Sequence, residues 1–389
     1  MQPWCTRARA RVGRCAEVVR RARHAAAALA LAGALGASPA LAGPTNPNIS
    51  IIGQPFARLT DDPNDIDRER LQFEPGEVEL VFDDYLNPYA KAFFTLALGE
   101  DGLELEEGYF DLVRGLPLGL ALRGGQFRVG FGKENPTHPH TYPFAERFRV
   151  LAAYLPGEEG YIETGASLSK LFALPADRSL TLAVDALTGD SFRIERGPSA
   201  SPDDPLLDPS GIGDRSAETR LAVNGRAAWF AELGELSALE VGASVTHGTT
   251  NVAAAARSTI VGLDAKAKLW TSPEAYLLLQ AEGLWLDRPV VGWESGAGYT
   301  TAPVEALGGY VYGDYNWARR YNAGLGWERF EEPTVEGGAS WAMRAYTGLA
   351  LLEESTAFRL DWERFFPATG DPFNTTTLRA IFSLGGWWC

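Results

Sequence analysis

What most constrains this chain is a period-two alternation of apolar and polar residues that recurs from residue 49 onward, with ionised side chains set in the middle of the polar faces. Leu221, Val223, Gly225, Ala227 and Trp229 share one parity, and Ala222, Asn224 and Arg226 the other. Leu239, Val241, Ala243 and Val245 stand opposite Glu240, Gly242, Ser244 and Thr246, and Val261, Leu263, Ala265, Ala267 and Leu269 opposite Asp264, Lys266 and Lys268. Val304, Ala306, Gly308 and Tyr310 oppose Glu305; Tyr321, Ala323, Leu325 and Trp327 oppose Asn322 and Glu328; Phe358, Leu360 and Trp362 oppose Arg359, Asp361 and Glu363. Successive side chains of a strand point to opposite faces, so each stretch reads as a two-faced strand. A water-soluble sandwich would have to close-pack its apolar face with large residues. Here that face is rich in small residues and ends in aromatics. A membrane barrel turns such a face to lipid and lines a wet lumen with the charged one. The expected fold is all-β, a transmembrane antiparallel β-barrel.

The connections fit. Short ones fall near Asn87-Pro88, Gly115-Leu116-Pro117, Pro175-Ala176-Asp177, Leu233-Gly234-Glu235, Ser272-Pro273, Asn316-Trp317 and Glu353-Glu354. Longer ones fall near 59–76, 132–160, 190–216, 248–257, 287–301, 331–338 and 366–373. Short and long alternate, apart from one short turn at Glu100-Asp101-Gly102. Short periplasmic turns and longer outer loops characterise this barrel class. With residues 48–58 as the first strand, the count is about 16, within 14–18. The stretch 118–131 breaks its alternation at Gly124-Gly125, for which either a glycine bulge or a misassigned strand accounts. Trp229, Trp270, Trp285, Trp327, Trp341 and Trp362 read as interfacial girdle residues.

The first 42 residues read as a cleaved signal peptide: an Arg-rich start, an apolar run over 25–37 too short to span a bilayer, and Ala40-Leu41-Ala42 as the cleavage site. Residues 43–389 are then a single outer-membrane barrel domain. The leader holds seven of the 35 basic residues and one of the 50 acidic ones, so its removal takes the formal charge from −15 to −21. That acidity disfavours nucleic acid as a partner. Past the leader no stretch of about 18 apolar residues occurs, so no transmembrane helix is expected. Only Cys389 remains there, which excludes an intrachain disulfide.

Several stretches carry a family resemblance: residues 46–53, Gly76-Glu77-Val78-Glu79-Leu80, Asn87-Pro88-Tyr89, residues 125–133, His138-Pro139-His140, Pro143-Phe144, Arg147 and residues 382–385. They resemble a porin-like family of outer-membrane β-barrels associated with zinc-regulated TonB-dependent receptors and distantly similar to phosphate-selective porins. The resemblance implies an outer-membrane barrel and carries no binding residue with it. A TonB-dependent receptor itself needs a plug domain ahead of a 22-stranded barrel, and only about 30 residues separate the cleavage site from the second strand. Many barrels end in an aromatic residue that the barrel-assembly machinery reads; here Trp387 and Trp388 precede Cys389.

Loop 132–160 is long enough to be functional. Folded inward it would narrow the lumen, with Lys133, Arg147 and Arg149 facing Glu282, Glu305 and Glu328 and setting up a transverse field. The alternative is a solvated outer loop. Arg226, Lys266, Lys268, Arg344, Arg359 and Arg379, with Asp264, Glu282, Asp361 and Glu363, read as lumen lining. His138 and His140 offer two imidazoles to Zn or Cu, with Glu134 or His247 as a third ligand. The competing reading is a rigid turn fixed by Pro139 and Pro143.

No GxSxG, HExxH, phosphate-loop or dinucleotide motif occurs, and Ser244 and His247 lie on opposite strand faces, so no catalytic residue and no enzymatic activity is expected. The expectation is an outer-membrane porin or channel for passive diffusion of small hydrophilic or charged solutes, monomeric or homotrimeric, among outer-membrane lipids. No cofactor is expected; zinc at the histidine pair is the one candidate. The alternative is a periplasmic or surface metal-linked binding protein that uses His138 and His140.

Overall fold

The computed structural model describes residues 47–99, 102–157, 160–193, 221–251, 254–294, 298–352 and 356–385. The chain divides into residues 1–46 and a unit that begins at Pro47. The expected leader, most of loop 190–216, the turns at 100–101 and 353–354, and Trp387 and Trp388 lie outside the described residues.

β1 (Asn48–Gly53) and β2 (Phe56–Thr60) form one interrupted wall strand, and β3 (Gln72–Glu74) and β4 (Val78–Asn87) a second. The wall continues through β5 (Ala90–Gly99), β6 (Gly102–Leu112), β7 (Leu120–Arg128), β8 (Ile162–Leu174), β9 (Arg178–Leu187), β10 (Ala222–Leu233), β11 (Ser237–Asn251), β12 (Ala256–Ser272) and β13 (Ala275–Asp287). A small hairpin of β14 (Val290–Glu294) and β15 (Gly298–Ala302) stands apart from it. β16 (Glu305–Trp317), β17 (Tyr321–Glu331), β18 (Ala339–Leu352), β19 (Thr356–Phe366) and β20 (Phe373–Leu384) complete the wall. Each wall strand pairs antiparallel with the next, and β20 closes onto β1 and β2. The result is a closed barrel of 16 strands, the expected number. Closure leaves no unpaired sheet edge.

Short connections gather at one end, at 88–89, 175–177, 234–236, 273–274 and 318–320. The other end carries 61–71, 129–161, 288–304, 332–338 and 367–372. The outward faces are apolar: Leu263, Val184, Leu307 and Leu325 are all more than half exposed. Aromatic stacks border this belt at both ends, Tyr315–Trp317–Tyr321 near the short turns and Trp341–Phe366 near the long loops.

Three sequence expectations need correction. In β16 the inward face is the apolar one, with Ala306, Tyr310 and Tyr312 buried, so Glu305 is exposed on the outward parity and does not line the lumen. The physical reason is that the barrel interior holds an apolar filling, not water alone. The glycine bulge is absent too: β7 pairs with β6 and β8 in unbroken register across Gly124 and Gly125. Phe127 points inward because it packs into the same filling. The irregularity lies one strand away, where Thr95 pairs with Glu107 and Leu96 with Leu105, leaving Glu106 as the extra residue. Finally, Trp270 shares the inward parity of Lys266 and Lys268, and Lys268 lies over its ring.

Candidate functional site in the barrel lumen

The interior filling is the segment 129–161. Phe131, Phe144, Phe148, Val150, Leu151, Tyr154 and Tyr161 cannot stay in water without exposing a large apolar surface, and all are buried. They pack on inward side chains of the wall, among them Tyr310, Tyr312, Phe330 and Tyr346. Phe148 stacks on Tyr310 at 4.1 Å, and Phe144 meets Tyr312 edge-on at 5.2 Å. The wall is hollowed where the loop presses closest: a Cβ on Gly262 would strike the Phe131 ring, and one on Gly308 would strike Val150. One short helix, α1 (Arg149–Tyr154), lies within the loop.

A loop buried in this way must find partners for its main chain. Wall carboxylates supply them. Glu282 accepts the N–H groups of Lys133 and Glu134 at 2.6 and 2.7 Å, and the Tyr310 hydroxyl at 2.8 Å. Glu328 accepts the Val150 N–H at 3.0 Å at the start of α1, and Asp361 the Ala145 N–H at 3.1 Å. Ser244 Oγ accepts from Gly132 at 3.1 Å. Wall arginines serve the carbonyls: Arg359 donates to His140 and Tyr142, and Arg344 to Glu146. The bonds made by the arginines and the carboxylates, unlike that of Ser244, involve charge-bearing groups and are stronger than neutral ones.

The side-chain charges pair separately. Lys133 reaches Glu240 at 2.7 Å, and Arg149 reaches Glu363 at 2.7 Å while lying over Phe365. Arg344, 4% exposed on its side chain, pairs with Glu363 at 2.6 Å between the rings of Phe144 and Phe148. Arg226 holds Asp264 through two hydrogen bonds and also donates to Ser244. Arg147 makes no ion pair with the described residues, and burial lowers its pKa. Lys266 and Lys268 also have no ion pair there, and Lys268 lies over Tyr276 at 4.2 Å. Thus Lys133, Arg149, Arg226, Glu282, Glu328, Arg344 and Arg359 do converge on the lumen. All but Arg226, which bonds to the wall residues Asp264 and Ser244, join the loop to the wall instead of facing one another as two opposed rows.

A residual space of about 260 Å³ remains between the loop and strands β6 to β10. It is lined in part by Asp111, Arg123, Arg128, Ser167, Asp185 and Arg226. Arg123 and Asp111 form a two-point ion pair there, with the guanidinium stacked 3.9 Å over Tyr109.

The histidine pair sits in a turn over Pro139–Thr141. Its third partner is neither of the expected ones. Glu134 is turned toward Gln280 at 2.8 Å, and burial, with Glu282 beside it, raises its carboxyl pKa to about 8. His247 lies on the outward parity of β11, bonded to Thr259. The partner is Glu79 of β4, whose Oε1 lies 2.9 Å from His140 Nδ1 and whose Oε2 lies 3.5 Å from His138 Nδ1. Glu107 stands 2.9 Å from His138 Nε2. Burial alone would lower the His138 pKa, but Glu107 and Glu79 outweigh it and raise it to about 9. The bulge in β6 turns both Glu106 and Glu107 inward, and Arg128 pairs with Glu106. The sequence signals for this cluster were His138 and His140 themselves and, for its carboxylates, the adjacent acids Glu106-Glu107 inside a strand. Glu79 stood only within the stretch 76–80 that carries the family resemblance.

No family model matches the chain. An uncharacterized protein of Aquifex aeolicus (strain VF5) is 30% identical over 272 residues, 66% of this chain and 54% of that protein. The chain thus spans about half the length of this curated relative. Among solved structures, the outer membrane channel DcaP of Acinetobacter baumannii superposes with a TM-score of 0.55 at 11% identity, over 87% of this chain and 97% of that one. An anion-selective porin from Comamonas acidovorans gives 0.56 at 11% identity, over 87% and 99%. OprB of Pseudomonas putida gives 0.55 at 10% identity, over 87% and 94%. The fold is that of outer-membrane porins.

Proposed function

We propose that this protein is an outer-membrane channel for small hydrophilic or charged solutes, narrowed by the loop 129–161. The observation that carries this reading is a closed 16-strand barrel, apolar outside, whose inner wall holds one long loop on buried carboxylates and arginines. A lipid-facing belt and a charged lumen suit a membrane pore. The same belt argues against a free periplasmic binding protein, because such a protein would leave it in water. Solutes pass beside the loop, through the space lined by Asp111, Arg123, Asp185 and Arg226. The net charge of −21 past residue 42 favours cations over anions. Residues 1–42 act as the export leader, and the barrel works as a monomer or homotrimer in outer-membrane lipid.

The test is single-channel recording from the refolded barrel in a planar bilayer under a KCl gradient. Discrete current steps with a cation-selective reversal potential are expected. Silence from both the wild type and a variant with its loop loosened would remove the channel reading.

A further inference from the structure

We propose that Glu79, His138 and His140, with Glu106 as fourth donor, form a binding site for a divalent transition-metal ion of the zinc type. The site lies inside the barrel, where the loop meets β4 and β6, and it is independent of whether the barrel conducts.

The donor atoms come first. One nitrogen of each imidazole and one oxygen of Glu79 lie within 4.8 Å of one another. Donors of a tetrahedral zinc site lie about 3.3 Å apart, as bond lengths near 2.0–2.1 Å require. His138 Nδ1 is already 3.5 Å from Glu79 Oε2 and 3.8 Å from Glu106 Oε2, so small rotations close the set. Two imidazoles and carboxylate oxygens are the donors zinc takes.

The second observation is what the cluster lacks. Glu79 is 1% exposed, and its Oε2 has no hydrogen bond of good geometry; neither has Glu106 Oε2 nor His138 Nδ1. Three buried donor atoms face one another at 3.5–3.8 Å with no hydrogen bond of good geometry between them, and such groups are costly to leave so. A cation satisfies all three together. It also offsets Glu79, Glu106 and Glu107, against which the wall sets Arg128 through its ion pair with Glu106.

The third observation is the outer support that metal sites need. Glu107 holds the far nitrogen of His138 at 2.9 Å, so that Nδ1 would serve as the lone-pair donor once the ion displaces its proton. Gln54 donates to Glu79 Oε1 at 3.0 Å, and Arg379 holds Gln54 in turn. Pro139 stiffens the turn between the histidines, whose rings stack at 5.6 Å. Bound metal would therefore fasten the loop to the far side of the lumen from Glu282 and Glu328.

The test uses the full barrel refolded in detergent and stripped with chelator, titrated with Zn²⁺ by calorimetry and with Co²⁺ by visible absorption. One equivalent of Zn²⁺ and a nitrogen–oxygen Co²⁺ spectrum of low coordination number are expected. Glu79→Gln and His140→Ala should each weaken binding by at least ~10-fold, and Glu107→Gln by about 10–100-fold, whereas His247→Ala should leave it unchanged. Heat-modifiable gel mobility reports folding of each variant; His140→Ala, on the loop, keeps the test open should Glu79→Gln not fold. No Zn²⁺ uptake by the wild type, or uptake indifferent to both Glu79→Gln and His140→Ala, overturns the site. The current measured in chelator reads the channel separately.

Discussion

Glu282 and Lys133 meet through the main chain, not through their charges. The Glu282 carboxylate accepts the Lys133 N–H at 2.6 Å, while the Lys133 ammonium passes on to Glu240 at 2.7 Å. Glu282 thus acts as a socket for the loop backbone, and it grips Glu134 and Tyr310 with the same oxygen.

Emptying that socket should loosen the loop. Glu282→Ala leaves two buried N–H donors unpaired, at about 1–3 kcal/mol each. Local opening of the loop should rise by roughly 10-fold or more. Amide exchange at residues 132–135 measures it. Protection equal to that of the wild type would show that the socket does not hold the loop.

Arg344 should be the most costly wall residue to remove. Its guanidinium lies between two loop rings and pairs with Glu363, with Asp361 3.7 Å away. Arg344→Met strands two buried acids, and loss of one partner of a buried pair costs about 3–5 kcal/mol. Arg344→Lys should recover only part, since an ammonium neither stacks nor donates in a planar fork. Denaturant unfolding in micelles, followed by Trp fluorescence, gives the ranking.

The loop should release as pH rises through the neutral range. Glu134 has its pKa raised from 4.5 to about 8, by burial first and Glu282 second. Docking therefore keeps a proton that the released loop would give up above pH 4.5. The contribution is complete below that value and declines until about pH 8, where it levels off. Lys266 and Arg344 pull the other way and soften the effect. Amide exchange in the loop should accelerate between pH 5.5 and 8 beyond its intrinsic pH dependence. Glu134→Gln should flatten that excess; an unchanged profile would assign it to another group.

Gly132 should tolerate no side chain. Its φ of +62° is left-handed, and an added Cβ would land on the Glu282 carboxylate. Gly130→Ala is the matched control, because its Cβ would meet nothing within 4 Å. Larger or noisier single-channel currents are expected from Gly132→Ala and not from Gly130→Ala.

Much of the lumen was legible one residue at a time. The parities of β10, β12, β17 and β19 suffice to place Arg226, Lys266, Glu328 and Arg359 inward. Trp270 follows the inward parity of Lys266 and Lys268, which its reading as a girdle residue ignored. Glu305 has a different cause: the rule that apolar residues face lipid assumes a wet lumen. Here Ala306, Tyr310 and Tyr312 turn inward to meet Phe148 and Val150. The long loop was visible as a loop, but its content of buried aromatics is what draws it inside.

Strand number, the alternation of short and long connections, and most inward faces were determined by the sequence alone. Each is a local property, carried by side-chain alternation and turn residues within about ten positions. The tertiary structure alone decided that Glu79 meets His140 across 61 residues, that a bulge turns Glu106 inward, and that Glu282 holds main chain instead of a facing cation. Those contacts depend on the register of strands distant in sequence and on closure of the sheet around its own loop. No local pattern encodes either, because the energy that selects them comes from burial shared by many strands at once.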